Sequence, residues 1–76
     1  MNKSEEYRVV LFYSTSAAIK AESLAKKENL VVKLIPVPRN LSSDCGICLL
    51  FRSQDKLVIE DLLNRGKIEY ENIYPI

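Results

Sequence analysis

The sequence predicts an α+β domain in which strands and helices follow the order β-α-β-β-α-β. Short segments rich in β-branched and aromatic residues recur four times along the chain. Two of the intervals between them carry apolar residues at helical spacing, and the middle interval is a loop with prolines, serines and cysteines. This order is the ferredoxin-like split βαβ arrangement, a four-stranded antiparallel sheet with both helices on one face. Right-handed crossovers place strands one and three in the middle.

The first half of the pattern consists of a strand over residues 7–13 and a helix over residues 17–29. The strand is apolar on both faces, which is typical of a central strand that is covered on both sides. Ser14, Thr15 and Ser16 are each good N-cap residues, and Asn29 predicts the end of the helix. The predicted inner face of the helix consists of small and apolar residues, Ala17, Ala18, Ala21, Leu24 and Ala25.

The second half begins with a strand over residues 30–37. Pro36 cannot donate a ladder hydrogen bond, so this strand lies at an edge of the sheet or ends at Pro36. Residues 47–52 predict the third strand and residues 68–74 the fourth, half exposed. The second helix starts at residues 53–55 and ends at Gly66, which we expect in a left-handed conformation. Its predicted inward residues are Val58, Ile59, Leu62 and Leu63.

The sheet face without helices would expose apolar side chains from the first three strands. Exposed apolar patches of this kind usually mark association surfaces. We therefore expect a homodimer or a docked partner on this face.

Length, charge and composition exclude several classes of function. The 76 residues allow one domain, residues 1–76, and the net charge of +1 without a basic cluster argues against a nucleic-acid partner. No apolar run approaches the roughly 20 residues that span a bilayer, so no membrane partner is expected. The polar N-terminus does not resemble a secretion signal, which predicts a cytoplasmic protein with reduced cysteines. Histidine is absent, which removes the commonest acid/base at neutral pH.

The segment from residue 36 to residue 48 carries the most chemistry. It reads P-V-P-R-N-L-S-S-D-C-G-I-C and contains both cysteines of the chain. Cys45 precedes a glycine in a polar turn, where we expect it to be accessible. Hydroxyl and backbone donors and a nearby arginine would favour its thiolate, and Asp44 would oppose it. Cys45 is therefore the candidate reactive residue, with Arg39, Ser42, Ser43 and Gly46 as candidate binding residues and Cys48 as a second thiol close in sequence.

Simpler interpretations of the same residues remain open. Cys48 lies in an apolar strand and could be a small buried hydrophobe. The serines could only form turns, and Arg39 could be a solvated loop charge. The spacing C-x-x-C is a weak signal, because zinc needs four ligands, and the other two would have to be carboxylates or a second pair of thiols from another subunit. A disulfide would need a turn at Gly46, since extended residues would place the two cysteines roughly 10 Å apart. No metal site or cofactor is assigned.

Three segments resemble a known family. They are V-L-F-Y-S-T-S-A-A-I-K-A-E at residues 10–22, V-K-L-I-P-V-P-R-N-L-S-S-D-C-G-I at residues 32–47, and the ending I-E-Y-E-N-I-Y. The chain is similar to the small family called putative Se/S carrier protein-like. The resemblance implies that Cys45 carries sulfur or selenium as a persulfide or selenosulfide. The same resemblance implies that Cys45 forms a functional binding loop together with Pro38, Arg39, Ser42, Ser43 and Gly46. It also implies donor and acceptor proteins as partners, with TusA-like sulfur carriers among them.

Two functions follow as hypotheses. The first is a sulfur or selenium carrier that presents Cys45 in the P-x-P-R-x-L-S-S-x-C-G loop. The second is a non-enzymatic interaction or regulatory module that dimerises or docks through its sheet face. Metal binding through thiols shared between subunits is a third class. The sequence does not assign the chain to an enzyme class.

Overall fold

The computed structural model describes residues 6–41 and 46–76. The described residues form four strands and two α-helices: β1 (Tyr7–Phe12), α1 (Thr15–Lys27), β2 (Val32–Pro36), β3 (Ile47–Arg52), α2 (Lys56–Arg65) and β4 (Tyr70–Pro75). A single turn of 3₁₀ helix, Ser53–Asp55, precedes α2. The predicted order of elements is confirmed, and several ends are displaced by one or a few residues.

The strands form one antiparallel sheet with the order β2-β3-β1-β4. β1 lies in the middle, where Val10 pairs with Leu49 of β3 on one side and Ile73 of β4 on the other. β2 is an edge strand and ends at Pro36, as expected of a residue that cannot donate a ladder hydrogen bond. The ferredoxin-like fold predicted from the sequence is confirmed.

The main core lies between the sheet and the two helices. Small side chains of α1 allow close packing on the inner strands, and α2 contributes larger ones. The buried members of this helix-side core are Val10, Phe12, Ala18, Ala21, Ala25, Leu49, Phe51, Ile59, Leu62, Leu63 and Ile68. The prediction that Val58 faces inward is wrong, because it is 40% exposed. It lies at the margin of the stripe formed by the buried residues of α2.

The ends of the helices are fixed by local hydrogen bonds and by two left-handed residues. The Ala17 N–H donates to the Ser14 side-chain oxygen (3.2 Å), so Ser14 is the N-cap of α1. Asn29 is left-handed, with φ 62°, just beyond the end of α1. The prediction that Gly66 is left-handed is wrong, since its φ is −81° and Lys67 has φ 55° instead. An added Cβ at Gly66 would lie 2.8 Å from Leu24 Cδ1, so the end of that leucine side chain would have to shift.

The sheet face opposite the helices, called the open face below, carries a second apolar cluster. Val9, Leu11 and Cys48 are buried there, although no helix of the described residues covers them. Partly buried apolar side chains pack against this cluster, namely Ile35, Val37, Leu41, Leu50 and Tyr74. The open face is thus covered in part by the chain itself, which differs from the expectation of an uncovered face. In the described residues no helix has the length and apolarity needed to cross a membrane.

Candidate functional site

The candidate site is the loop between β2 and β3, and its base is an extension of the strand pairing. Pro36 and Ile47 form the last regular pair between the two strands. The Val37 N–H then donates to the Gly46 carbonyl oxygen (3.1 Å). This bond holds the two ends of the loop together, so the loop projects from a defined base.

A tight turn follows immediately on the β2 side. The Leu41 N–H donates to the Pro38 carbonyl oxygen (3.0 Å), which closes a turn over residues 38–41. Pro38 is the first residue of this turn, and its ring fixes the φ of that residue. Arg39 and Asn40 occupy the exposed middle of the turn, and Pro38 is half-buried. The turn therefore presents the Arg39 guanidinium to solvent and brings Leu41 back toward the sheet.

Two apolar side chains fix this segment on the open face. Val37 and Leu41 pack against the cluster formed by Val9, Leu11 and Cys48, which we call the loop seat. The loop seat belongs to the two central strands, which are the most firmly paired part of the sheet. The segment that leads to the predicted reactive cysteine thus rests on a rigid support.

Cys48 is part of this support. Its side chain is completely buried, with 0% exposure. The Sγ atom lies 3.9 Å from the Pro36 carbonyl oxygen, which is consistent with a weak hydrogen bond from the thiol. A thiol in this position fills space beneath the loop, and an external reagent would reach it only if the covering side chains moved.

The predicted site residues fall into two groups. The structure places Pro38, Arg39, Gly46 and Cys48 at the base and flank of the loop, as described above. Ser42, Ser43 and Cys45 lie outside the described residues. Gly46 is exposed, and an added Cβ would meet no atom of the described residues within 4 Å. Contacts with the described residues thus give no steric reason for a glycine at this position.

A groove of about 350 Å³ lies at the start of α1 and was not anticipated from the sequence. Its lining residues include Tyr13, Ser14, Ser16, Lys20 and Lys67. It opens at the same end of the sheet as the loop, because β1 and β2 end there and β3 begins there. Sequence patterns indicated only a helix cap at these serines. Lys67 comes from the distant α2–β4 connection, so only the fold brings it near them.

The charged residues of this end are mostly basic. Lys20 and Lys67 line the groove together with one carboxylate, Glu69, and Lys20 Nζ donates to the Gly66 carbonyl oxygen (3.1 Å). The first turn of α1 contains no acidic residue. Over residues 6–41 and 46–76, no group of three or more Cys, Asp or Glu side chains could hold a metal ion.

Comparison with known families decides the assignment. The model of the family described as "Putative Se/S carrier protein-like" matches residues 6–75. The chain belongs to this family. The match contains every described strand and helix as well as the whole loop, so the resemblance seen in the sequence is confirmed. No curated protein and no solved structure matched the chain. The family description names sulfur or selenium as the cargo and does not say which residues hold it.

Proposed function

We propose that this chain carries sulfur or selenium on the Cys45 thiolate. Membership of the Se/S carrier protein-like family is the observation that carries this proposal. The geometry of the loop supports it, because the base is closed by the Val37–Gly46 hydrogen bond and the β2 side rests on the loop seat. A carrier needs an accessible acceptor atom on a supported segment, and the flanks of Cys45 provide such a support.

Loading is a transfer between two thiols and needs no external oxidant. The Cys45 thiolate attacks the terminal sulfur of a donor persulfide, a new S–S bond forms at Cys45, and the donor S–S bond breaks. The donor thiolate leaves with the electron pair of the broken bond. Delivery repeats the same exchange, with an acceptor thiolate attacking the terminal atom and Cys45 leaving as thiolate. Selenium follows the same scheme with a selenosulfide.

The neighbouring residues have assigned roles in this proposal. Arg39 is exposed on its turn and forms no ion pair within the described part of the chain, so its guanidinium is available for an anionic terminal atom. Pro38 restricts the turn that carries Arg39. Ser42 and Ser43 would donate hydroxyl hydrogen bonds to the bound anion, and Gly46 closes the base.

Cys48 has two alternative roles. It could attack Cys45 persulfide at its inner sulfur, release the outer sulfur as sulfide and leave a disulfide that a cellular thiol must reduce. Its complete burial beneath Val37 and Leu41 favours the other role, in which the thiol supports the loop and takes no part in transfer. We therefore assign Cys48 to packing.

The partners of such a carrier are proteins with reactive thiols or persulfides. The resemblance names TusA-like sulfur carriers among the acceptors, and a cysteine desulfurase is a suitable donor. A reducing cytoplasm would keep Cys45 available for exchange. The homodimer expected from the sequence stays a prediction.

The proposal is tested by loading the purified protein with a cysteine desulfurase and cysteine, followed by intact-protein mass spectrometry. We expect a mass gain of one sulfur atom that a thiol reductant removes. Cys45→Ser should abolish the gain. Cys48→Ala is the matched control, because it removes the other thiol of the chain and should load like the wild type.

Two outcomes would contradict the carrier proposal: a wild-type chain that gains no sulfur, or a gain that survives in Cys45→Ser. Alkylation of Cys45 over a pH series then tests the alternative hypothesis, in which the chain is an interaction module. A Cys45 thiol that reacts slowly and ionises near the reference pKa of about 8.5 would favour a module without thiol chemistry.

A further inference from the structure

The end of the open face farthest from the loop is left uncovered by the described residues, 6–41 and 46–76. Three apolar side chains there are well exposed, namely Tyr7 (40%), Val31 (56%) and Ile76 (49%). Leu50, in the next row of the sheet, is half-buried. Two cations, Lys33 and Arg52, are exposed among them. We call these six residues the sheet-face patch.

Strand register places these residues side by side. Tyr7 is opposite Arg52, and Lys33 is opposite Leu50. The Ile76 N–H donates to the Tyr7 carbonyl oxygen (3.3 Å), which sets the end of the chain beside Tyr7. Val31 precedes the residue that pairs with Phe51, so it lies level with Arg52. Side chains alternate between the two faces along each strand. Val9 and Cys48 of the loop seat are on the open face, so the side chains two residues away, and those opposite them in the neighbouring strands, are on the same face. All six residues of the patch meet this condition.

Charge is distributed unequally between the two sides of the domain. The helix side contains ion pairs, including Lys56 with Glu60 (3.1 Å) and Arg65 with Glu28 (2.9 Å). No open-face position of β1, β2 or β3 carries a carboxylate. Within the described residues, Lys33 and Arg52 take part in none of the ion pairs. The patch is therefore apolar and positively charged, without internal neutralisation.

We propose that the sheet-face patch docks a protein partner whose contact surface combines apolar side chains with Asp and Glu. Such a surface would cover the exposed apolar groups and pair the two cations. A second copy of this chain is a poor occupant, because two patches face to face would bring four cations together without a carboxylate. A single-stranded nucleic acid is also a poor occupant, since Tyr7 offers the only aromatic ring among the six residues. This inference does not depend on carrier activity.

The test starts with a displayed random-peptide library selected against the immobilised full chain. Enriched peptides should contain Asp or Glu next to aromatic or aliphatic residues. A labelled enriched peptide is then titrated by fluorescence anisotropy with the wild type and with Arg52→Glu and Lys33→Glu. Each reversal should weaken binding by about tenfold, which corresponds to about 1.4 kcal/mol, and added salt should weaken binding further.

Lys67→Glu is the matched control, because it makes the same charge change at an exposed site of the groove, at the end of the sheet opposite the patch. It should leave the peptide affinity within about twofold of the wild type. The length of β1 separates the two ends by roughly 16 Å, at about 3.3 Å per residue, which exceeds the screening length of ~10 Å at 0.1 M salt. Both patch substitutions are at exposed positions, and thermal melts check that each variant stays folded. In an amide NMR titration the shifts should centre on Tyr7, Leu50 and Arg52.

Four results would overturn the proposal. The library could enrich no peptide, or Lys67→Glu could weaken binding as much as Arg52→Glu. Sedimentation could show a dimer that Arg52→Glu dissociates, which would make a second copy the occupant. A fluorescent single-stranded decauridine could bind the patch and be lost in Arg52→Glu, which would indicate a nucleic-acid surface.

Discussion

Replacing Leu41 with alanine should separate the support of the loop from the general stability of the fold. Leu41 is half-buried and packs on the loop seat. Full burial of a leucine makes Leu→Ala cost roughly 2–5 kcal/mol, so a half-buried leucine should cost about 1–2 kcal/mol. For a domain of this size that corresponds to a fall in melting temperature of roughly 5–15 °C.

The matched control is Leu24→Ala. Leu24 is a half-buried leucine of α1 that packs against the helix-side core. Its replacement by alanine therefore removes the same side-chain atoms, but on the other face of the sheet. Circular dichroism melts should show a comparable loss of stability in both variants. Alkylation of Cys45, read by peptide mass spectrometry over a pH series, should change only in Leu41→Ala. Its midpoint should move toward the reference value of about 8.5, because the loop loses its anchor.

The reasoning fails if Leu41→Ala melts like the wild type, since the contact with the loop seat would then contribute nothing. It fails equally if both variants change the alkylation of Cys45 to the same extent, because the effect would then come from global loosening. A loss of stability in both variants with a selective change at Cys45 is the only pattern that supports the role of the loop seat.

Three further predictions follow from the same structure. Cys48→Ala should lower the free energy of unfolding by about 1 kcal/mol, as for the loss of one buried group of methyl size. The variant should still load sulfur. Loss of loading in a folded variant would assign Cys48 a chemical role. Gly66→Ala should change the free energy of unfolding by less than about 1 kcal/mol, because the atom nearest to the new Cβ is the movable end of the Leu24 side chain at 2.8 Å and alanine restricts the unfolded chain. Gly46→Ala should melt within about 2 °C of the wild type, since its Cβ would meet no described atom within 4 Å. Ser14→Ala should cost about 1 kcal/mol by removing the cap of α1, with the exposed Ser16→Ala as control; equal melting temperatures would contradict the capping role.

Much of the fold was predictable because it depends on local patterns. The apolar strands, the small inner face of α1 and the position of Pro36 at an edge all follow from side-chain chemistry that neighbours hardly alter. The order of elements then leaves few topologies, and the ferredoxin-like order was among them. Asn29 ended its helix as expected, because asparagine tolerates the left-handed conformation.

The errors arose where packing between distant elements decides. A glycine after a helix suggests a left-handed residue, yet Gly66 has φ −81°, and Lys67 takes the left-handed conformation. The helical spacing of Val58 predicts an inward side chain, but the orientation of α2 on the sheet leaves Val58 40% exposed.

The sequence predicts which residues form the candidate site, but it does not predict where those residues pack in the fold. The residues of the loop stood out in the sequence by chemistry alone. Nothing in the sequence showed that Val37 and Leu41 would fold back onto the open face, because an apolar residue in a loop has no periodic pattern to indicate its target. The same holds for the groove at the start of α1, which combines residues from two distant connections.

The hydrogen bond between Val37 and Gly46 marks the boundary at which the sheet ends and the loop that follows β2 begins. The register of β2 against β3 is set by five residue pairs, from Val32–Phe51 to Pro36–Ile47, and all five lie on the sheet side of that bond. The loop could therefore lengthen, shorten or change its chemistry during evolution while the scaffold kept its register. The same boundary offers a junction for grafting the loop onto another two-stranded turn.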